Sequence, residues 1–346
     1  GIRYPVCSLI GRGFRKSLWL LRNCLPRVEI SRSILETDIL VVGGGGHFYD
    51  VPHSGQMSKW HERLVFFHTL HIPIILYGVG AGPIRNQKNK KLWREILDIA
   101  CLVSVRDKWS YSLARQKCSE SLYLSYDPAL SFRPQLDNSP HLAMGLDEEY
   151  AVVNFRNLYT DGNDDPDGSN QEAYMTFCAA IVKRLRERGM QVLFVPMHPE
   201  QDSEIAHRVN ARLEPENWMA VMGHTLDCDR VCSILAGARV AVGTRLHFLI
   251  LSWLSGTPIV PFLYHPKVES FANEVGLRRV SVGVYKDGWF GDFSADVTEA
   301  EQCLDDSLNH APAYEEYRAK LLPQIRSRHD EAGRAIRKKC LGIESL

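Results

Sequence analysis

Short apolar runs rich in β-branched residues alternate with amphipathic stretches along most of the chain. In the first third, Asp38–Val42, Pro73–Tyr77 and Cys101–Val105 read as buried strands, and helical periodicity covers Met57–His71, Lys88–Ile99 and Lys108–Gln116. A second series of strands follows at Ala151–Phe155, Gln191–Val195, Met219–Met222, Arg239–Val242 and Pro258–Pro261. Its helices are predicted over Gln171–Arg188, Glu200–Arg212, Asp227–Ala236, Leu246–Ser255 and Pro266–Val275. Apolar strands alternating with helices imply parallel sheets covered on both faces. The expected fold class is α/β, with two Rossmann-like doubly wound domains facing a cleft. The polar stretch Arg133–Glu149, with two prolines and little periodicity, is the expected linker. It separates an N-terminal domain over 1–140, on the acceptor side, from a C-terminal domain over 141–312, on the donor side. A helical tail is predicted over 313–346. Ligands of such sheets gather at the carboxyl ends of the strands.

Length and composition narrow this picture. The 346 residues suit about two domains. Lys plus Arg and Asp plus Glu balance at 41 each, with a pI near 7.3, which argues against a general nucleic-acid binder. No uninterrupted apolar stretch reaches the ~18 residues of a transmembrane helix. The cysteines number nine and follow no regular framework, as expected of free thiols in a reducing compartment. The chain opens at Gly1 without Met and without a charged-then-apolar leader, and is read as starting inside a longer protein. The expected location is the cytoplasm. Between Tyr317 and Cys340 the sequence is strongly basic, with Asp330 and Glu331 its only acids. A solvated helix face explains this; a peripheral contact with an anionic membrane surface is the sharper alternative.

Several strand ends carry candidate chemistry. Two glycine clusters, Gly43–Gly46 and Gly78–Pro83, follow strands of the first domain, and glycine there lets backbone N–H groups approach an anion or a sugar. Gly45, Gly80 and Gly82 are the candidate contacts; tight strand-to-helix turns explain the clusters equally well. Neither cluster is a Walker loop, and Pro83 occupies the third glycine position of a dinucleotide fingerprint. More informative is Gly243-Thr244-Arg245-Leu246-His247. Thr244 is a natural N-cap there, placing Arg245 and His247 in a first helical turn beside free N–H groups, which suits a phosphate or carboxylate. Arg adds a bidentate clamp and His a proton exchangeable near neutral pH. Arg156, His198 and Lys267 follow other strands and are candidates for the same cleft.

Metal readings are weaker. Asp161, Asn163, Asp165, Asp167, Ser169 and Glu172 have calcium-loop spacing, but Pro166 replaces the required glycine, so a mobile, solvated loop over the cleft is expected. His61-Glu62 lacks a zincin's second His, and Cys228 and Cys232 lack a partner pair. No metal and no cofactor are expected.

Together, DILVVGGGG at Asp38–Gly46, YGVGAGPI at Tyr77–Ile84, VSVRD at Val103–Asp107, YDPAL at Tyr126–Leu130, FVPMHP at Phe194–Pro199, GTRLH at Gly243–His247 and GTPIVPFLYHPKV at Gly256–Val268 resemble the polysaccharide pyruvyl transferase family. The segments occur in the family's order across roughly residues 38–277. The family's opening strand and Asn-x-Gly-Asp turn have no counterpart before Asp38. The resemblance implies a GT-B-like fold, phosphoenolpyruvate as donor, and a pyruvate ketal on a sugar of a polysaccharide, glycan or lipid-linked oligosaccharide. It matches Arg156, Arg245, Leu246 and His247 to donor-binding positions. Donor chemistry calls for an acid that protonates the methylene carbon: His247 is the first candidate and His198 the second, with Arg156 and Arg245 holding the anionic groups.

Two rivals stand beside this reading. A nucleotide-sugar glycosyltransferase of the same fold commonly carries a ribose-binding glutamate five residues before its Gly-x-Pro turn, where this chain has Leu251. A catalytically silent glycan-binding protein is the other, since fold alone does not decide function.

Overall fold

A computed structural model describes residues 36–50, 55–115, 122–137, 149–159, 165, 167–214, 219–222, 227–278, 280–282, 285–286, 289–290 and 292–338. The described chain separates into two compact units, dividing between Ser125 and Tyr126 and again between His329 and Asp330. Each has its own hydrophobic core.

In the first unit, β1 (Leu40–Gly43), β2 (Gly46–Phe48), β3 (Ile74–Ala81), β4 (Leu102–Val105) and β5 (Leu122–Leu124) form one parallel sheet in the order β1-β3-β4-β5. Both β1 and β2 pair with β3, at Leu40–Gly43 against Ile74–Tyr77 and at Gly46 against Gly80. The helices are α1 (Gln56–Thr69), α2 (Gln87–Ile99) and α3 (Lys108–Arg115). Side chains along β3 and β4 are almost all buried, as their unbroken apolar sequences require.

The second unit alternates β6 (Tyr150–Asn154), α4 (Ser169–Glu187), β7 (Gln191–Phe194), α5 (Pro199–Asn210), β8 (Ala220–Val221), α6 (Cys228–Gly237), β9 (Val240–Gly243), α7 (Leu246–Leu254), β10 (Ile259–Leu263), α8 (Pro266–Glu274) and β11 (Val280–Ser281). All six strands are parallel, in the order β11-β10-β9-β6-β7-β8. A two-stranded ribbon of β12 (Tyr285–Lys286) and β13 (Trp289–Phe290) precedes α9 (Val297–Asn309) and α10 (Ala311–Ile336). α5, α4 and α9 pack in one group and α6, α7 and α8 in another, as in a doubly wound sheet. α7, Leu-His-Phe-Leu-Ile-Leu-Ser-Trp-Leu, is apolar on nearly every side and buried except at His247.

The predicted strands and helices appear within a few residues of their expected bounds. The described part of the expected linker differs. Gln135 N–H donates to Asp229 Oδ1 at 2.7 Å and Asp137 N–H to Ser233 Oγ at 2.9 Å, so backbone bonding to α6 ties residues 135–137 into the second unit. The remainder, 138–148, lies outside the described residues. So do 160–164 and 166 of the calcium-like loop. Its two described aspartates cap α4: Asp165 accepts from Asn170 and Gln171 N–H, and Asp167 from Ser169 N–H. β2, β5, β11, the ribbon and α9 were not anticipated.

Candidate functional site at the carboxyl edge of the second sheet

Strand order reverses direction between β6 and β9, which makes their carboxyl ends the expected crevice of a doubly wound sheet. Asn154 and Gly243 are direct partners there. A Cβ on Gly243 would stand 2.7 Å from Asn154 O and 2.9 Å from the Phe248 ring, so only glycine permits this approach. Thr244 N–H then donates to Asn154 O at 3.0 Å. Thr244 is not the N-cap expected from sequence. Its hydroxyl turns to Asn154 O at 3.4 Å, and Arg245, in an extended conformation, takes the cap position without a side-chain cap bond. α7 therefore opens with no cap bond from its N-cap side chain and with the positive end of its dipole at this edge.

Arg245 is held by an acid that the sequence did not single out. Asp202, in the first turn of α5, is fully buried. It accepts from Arg245 Nε at 2.9 Å and Nη2 at 2.5 Å, and from the N–H groups of Met197 and His198 at 2.9 Å each. Asn154 Nδ2 donates to Val195 O at 2.8 Å and lies 3.4 Å from Asp202 Oδ2. The ends of β6, β7 and β9 thus meet at one carboxylate. Arg245 Nη2 also reaches Gln201, while Nη1 has no partner among the described residues. Asp202 fixes the guanidinium and leaves one edge available to an anion.

Arg156 and Lys267 meet at a second residue absent from the sequence-based candidates. Tyr264, directly after β10, is 3% exposed. Arg156 Nη1 donates to its hydroxyl at 3.1 Å, with the guanidinium carbon 5.3 Å from the ring centroid; Lys267 Nζ lies 5.5 Å from that centroid. Burial raises the Tyr264 phenol, but Lys267 and Arg156 lower it by more, and it falls below its ordinary value of 10.0. α8 begins here, with His265 Nδ1 accepting from Lys267 N–H at 3.1 Å.

His247 projects from the first turn of α7, about half exposed, with Nε2 3.9 Å from Asp127 Oδ1. Asp127 also caps the turn Pro128–Ser131 through Ala129 N–H. His198 occupies the N-cap of α5 with an exposed side chain; its backbone, through Asp202, links it to Arg245. Leu246 is buried in the core, and Leu251 is likewise a core residue of α7. Gly45, Gly80 and Gly82 belong to the first unit. Gly45 O accepts from Gly80 N–H at 2.8 Å. A Cβ on Gly80 would meet the Arg106 guanidinium at 2.7 Å; one on Gly82 would meet Leu113 at 2.5 Å and Trp109 at 2.6 Å. Side-chain packing therefore already requires glycine at 80 and 82. Asp127 and Tyr264 lay inside quoted motifs (YDPAL and YHPK), whereas Asp202 carried no sequence signal beyond its place four residues after His198.

Residues 3–266 match the polysaccharide pyruvyl transferase family. The chain belongs to the polysaccharide pyruvyl transferase family. Membership gives it a transferase's role in polysaccharide biosynthesis, and the match extends upstream of the motifs legible from Asp38 onward. The amylovoran biosynthesis protein AmsJ of Erwinia amylovora is 20% identical over 290 residues, covering 79% of this chain and 67% of that protein. The fold of this pyruvyl transferase is shared more widely. A UDP co-structure of S. aureus MnaA superposes with a TM-score of 0.59 at 10% identity, over 96% of this chain and 81% of that one. UDP-GlcNAc 2-epimerase of Methanocaldococcus jannaschii, in complex with UDP-GlcNAc and UDP, gives 0.53 at 10% identity, over 86% and 72%. These likenesses establish a GT-B-type fold. Among the described residues, no helix is long and apolar enough to cross a membrane.

Proposed function

We propose that this family member transfers the pyruvyl group of phosphoenolpyruvate to a sugar of a polysaccharide or lipid-linked oligosaccharide, forming a pyruvate ketal and releasing phosphate. The observation that carries this reading is the set of cations at one sheet edge: Arg245 splinted by Asp202, and Arg156 with Lys267 gathered around Tyr264. A small donor bearing both a phosphate and a carboxylate needs several such groups, together with helix N–H donors.

Protonation of the donor's methylene carbon leaves its central carbon electron-poor. A sugar hydroxyl adds there and gives up its proton. The C–O bond to phosphate breaks, phosphate departs with the bonding electrons, and a neighbouring hydroxyl closes the ketal as its proton passes to the departing phosphate. Arg156, Arg245 and Lys267 stabilise the departing phosphate and the carboxylate. His247 is the acid in this scheme, oriented by Asp127; His198 is the second candidate. Phosphate release from phosphoenolpyruvate, dependent on added glycan, tests the reaction, and His247→Ala tests the acid. We expect His247→Ala to lower kcat by about 10²–10⁴-fold with donor binding retained. Normal turnover in that variant removes His247 from the role. The localisation that accompanies this reading is cytoplasmic, at a membrane face where the acceptor is lipid-linked.

A further inference from the structure

Tyr264 is buried among core residues of the second unit, yet carries a hydroxyl into them. A hydroxyl is costly to bury unless it is bonded, and this one receives the Arg156 guanidinium. The two cations on Tyr264 come from separate elements, since Arg156 follows β6 and Lys267 lies in the first turn of α8, after β10. β9 lies between β6 and β10 in the sheet, so nothing in strand pairing brings those two side chains together. Tyr264 does, with its oxygen accepting from Arg156 and its ring facing both cations. Two like charges at one ring repel, and the phenol offsets only part of that repulsion. A ligand with more than one negative charge suits such a pair.

We propose that Tyr264 is a positioning residue for the donor, holding Arg156 and Lys267 as one anion-binding pair across the sheet edge. The proposal rests on the donor reading of this edge, but it concerns how the pair is assembled and extends to any anion bound there. The hydroxyl acts through Arg156; the ring keeps both cations in register. Phenylalanine therefore keeps the ring and removes only the hydroxyl's bond to the guanidinium.

The test is a double-mutant cycle on binding, with phosphoenolpyruvate, UDP and inorganic phosphate as separate probes. Wild type, Tyr264→Phe, Arg156→Gln and the double variant are compared by calorimetry. Tyr264→Phe should keep its fold and bind phosphoenolpyruvate about tenfold more weakly, within the range for a hydrogen bond to a charged group. The double variant should bind no more weakly than Arg156→Gln alone. Unchanged binding in Tyr264→Phe, or fully additive losses, overturns the proposal. Wild type that takes up UDP and not phosphoenolpyruvate sinks the donor reading, while the same cycle run on UDP still judges Tyr264. Uptake of none of the three overturns both. Should Tyr264→Phe fail to fold, the ultraviolet difference spectrum on ligand binding decides. A perturbed buried phenol in wild type, lost in Arg156→Gln, supports the proposal; a flat wild-type spectrum contradicts it.

Discussion

At the scale of single residues, the charges at the sheet edge are already opposed from within the chain. Asp202 is fully buried and takes two hydrogen-bond donors from Arg245 and two from the backbone. Removing the acid leaves a partly buried guanidinium uncompensated. Asp202→Ala should therefore cost about 3–5 kcal/mol in a urea unfolding series. A loss under about 1 kcal/mol would show that the pair is solvated and does not brace the edge. The phenols give a second reading of local charge. Burial holds Tyr150, Tyr159 and Tyr314 up to about 12. A raised phenol favours the folded state fully below pH 10, and that contribution is lost as pH rises from 10 toward 12. Tyr264, facing Arg156, Lys267 and the His265 ring, moves the opposite way and favours folding as pH rises through its lowered value. In an absorbance titration Tyr264→Phe should remove a phenol ionisation from below pH 10. An unaltered titration would mean the two cations do not reach the ring. Sequence singled out Arg156, Arg245, His247 and Lys267 as candidates because each lies within a few residues of a strand's carboxyl end. It hid Asp202 and Tyr264, which act by holding those residues and look like ordinary helix and core positions.

At the scale of elements, apolar runs such as Tyr150–Val153 and the all-round apolar α7 made buried strand and helix legible. The start of α7 was misread by one residue, because Thr244 bonds across to β6 and does not cap its own helix. α9 was missed although Asp296 caps it and Ala300, Cys303, Leu304 and Ser307 mark one buried face, since small and polar residues dilute the apolar period. β2, β5 and β11 are too short to carry a pattern. The glycine clusters show a second limit of sequence reading. A glycine required by a ligand and one required by a neighbouring side chain are identical in sequence. Gly80→Ala must displace the buried Arg106 guanidinium, and Gly82→Ala must also adopt a left-handed backbone at φ +91°. Each should destabilise the first unit by about 1–3 kcal/mol, measured by thermal unfolding. Wild-type stability in both variants would leave ligand contact as the better explanation for these glycines.

At the scale of the whole molecule, the chain is two α/β units of a GT-B-type fold in a polysaccharide pyruvyl transferase. Strand-helix alternation made the fold class legible, and the order of weak motifs made the family legible. The donor was not equally legible, because proteins of the same architecture bind UDP, as the S. aureus and M. jannaschii structures do. The proposed donor is favoured by chemistry: the helix position where nucleotide-sugar enzymes commonly carry a glutamate holds the buried Leu251. The most direct measurement is a thermal-shift titration of the intact chain with phosphoenolpyruvate, against UDP and inorganic phosphate. A ligand binding only the native state at a hundred times its Kd adds about 2.7 kcal/mol, a readily visible shift. The account requires selective stabilisation by phosphoenolpyruvate that disappears in Arg245→Ala. Stabilisation by UDP alone would contradict it.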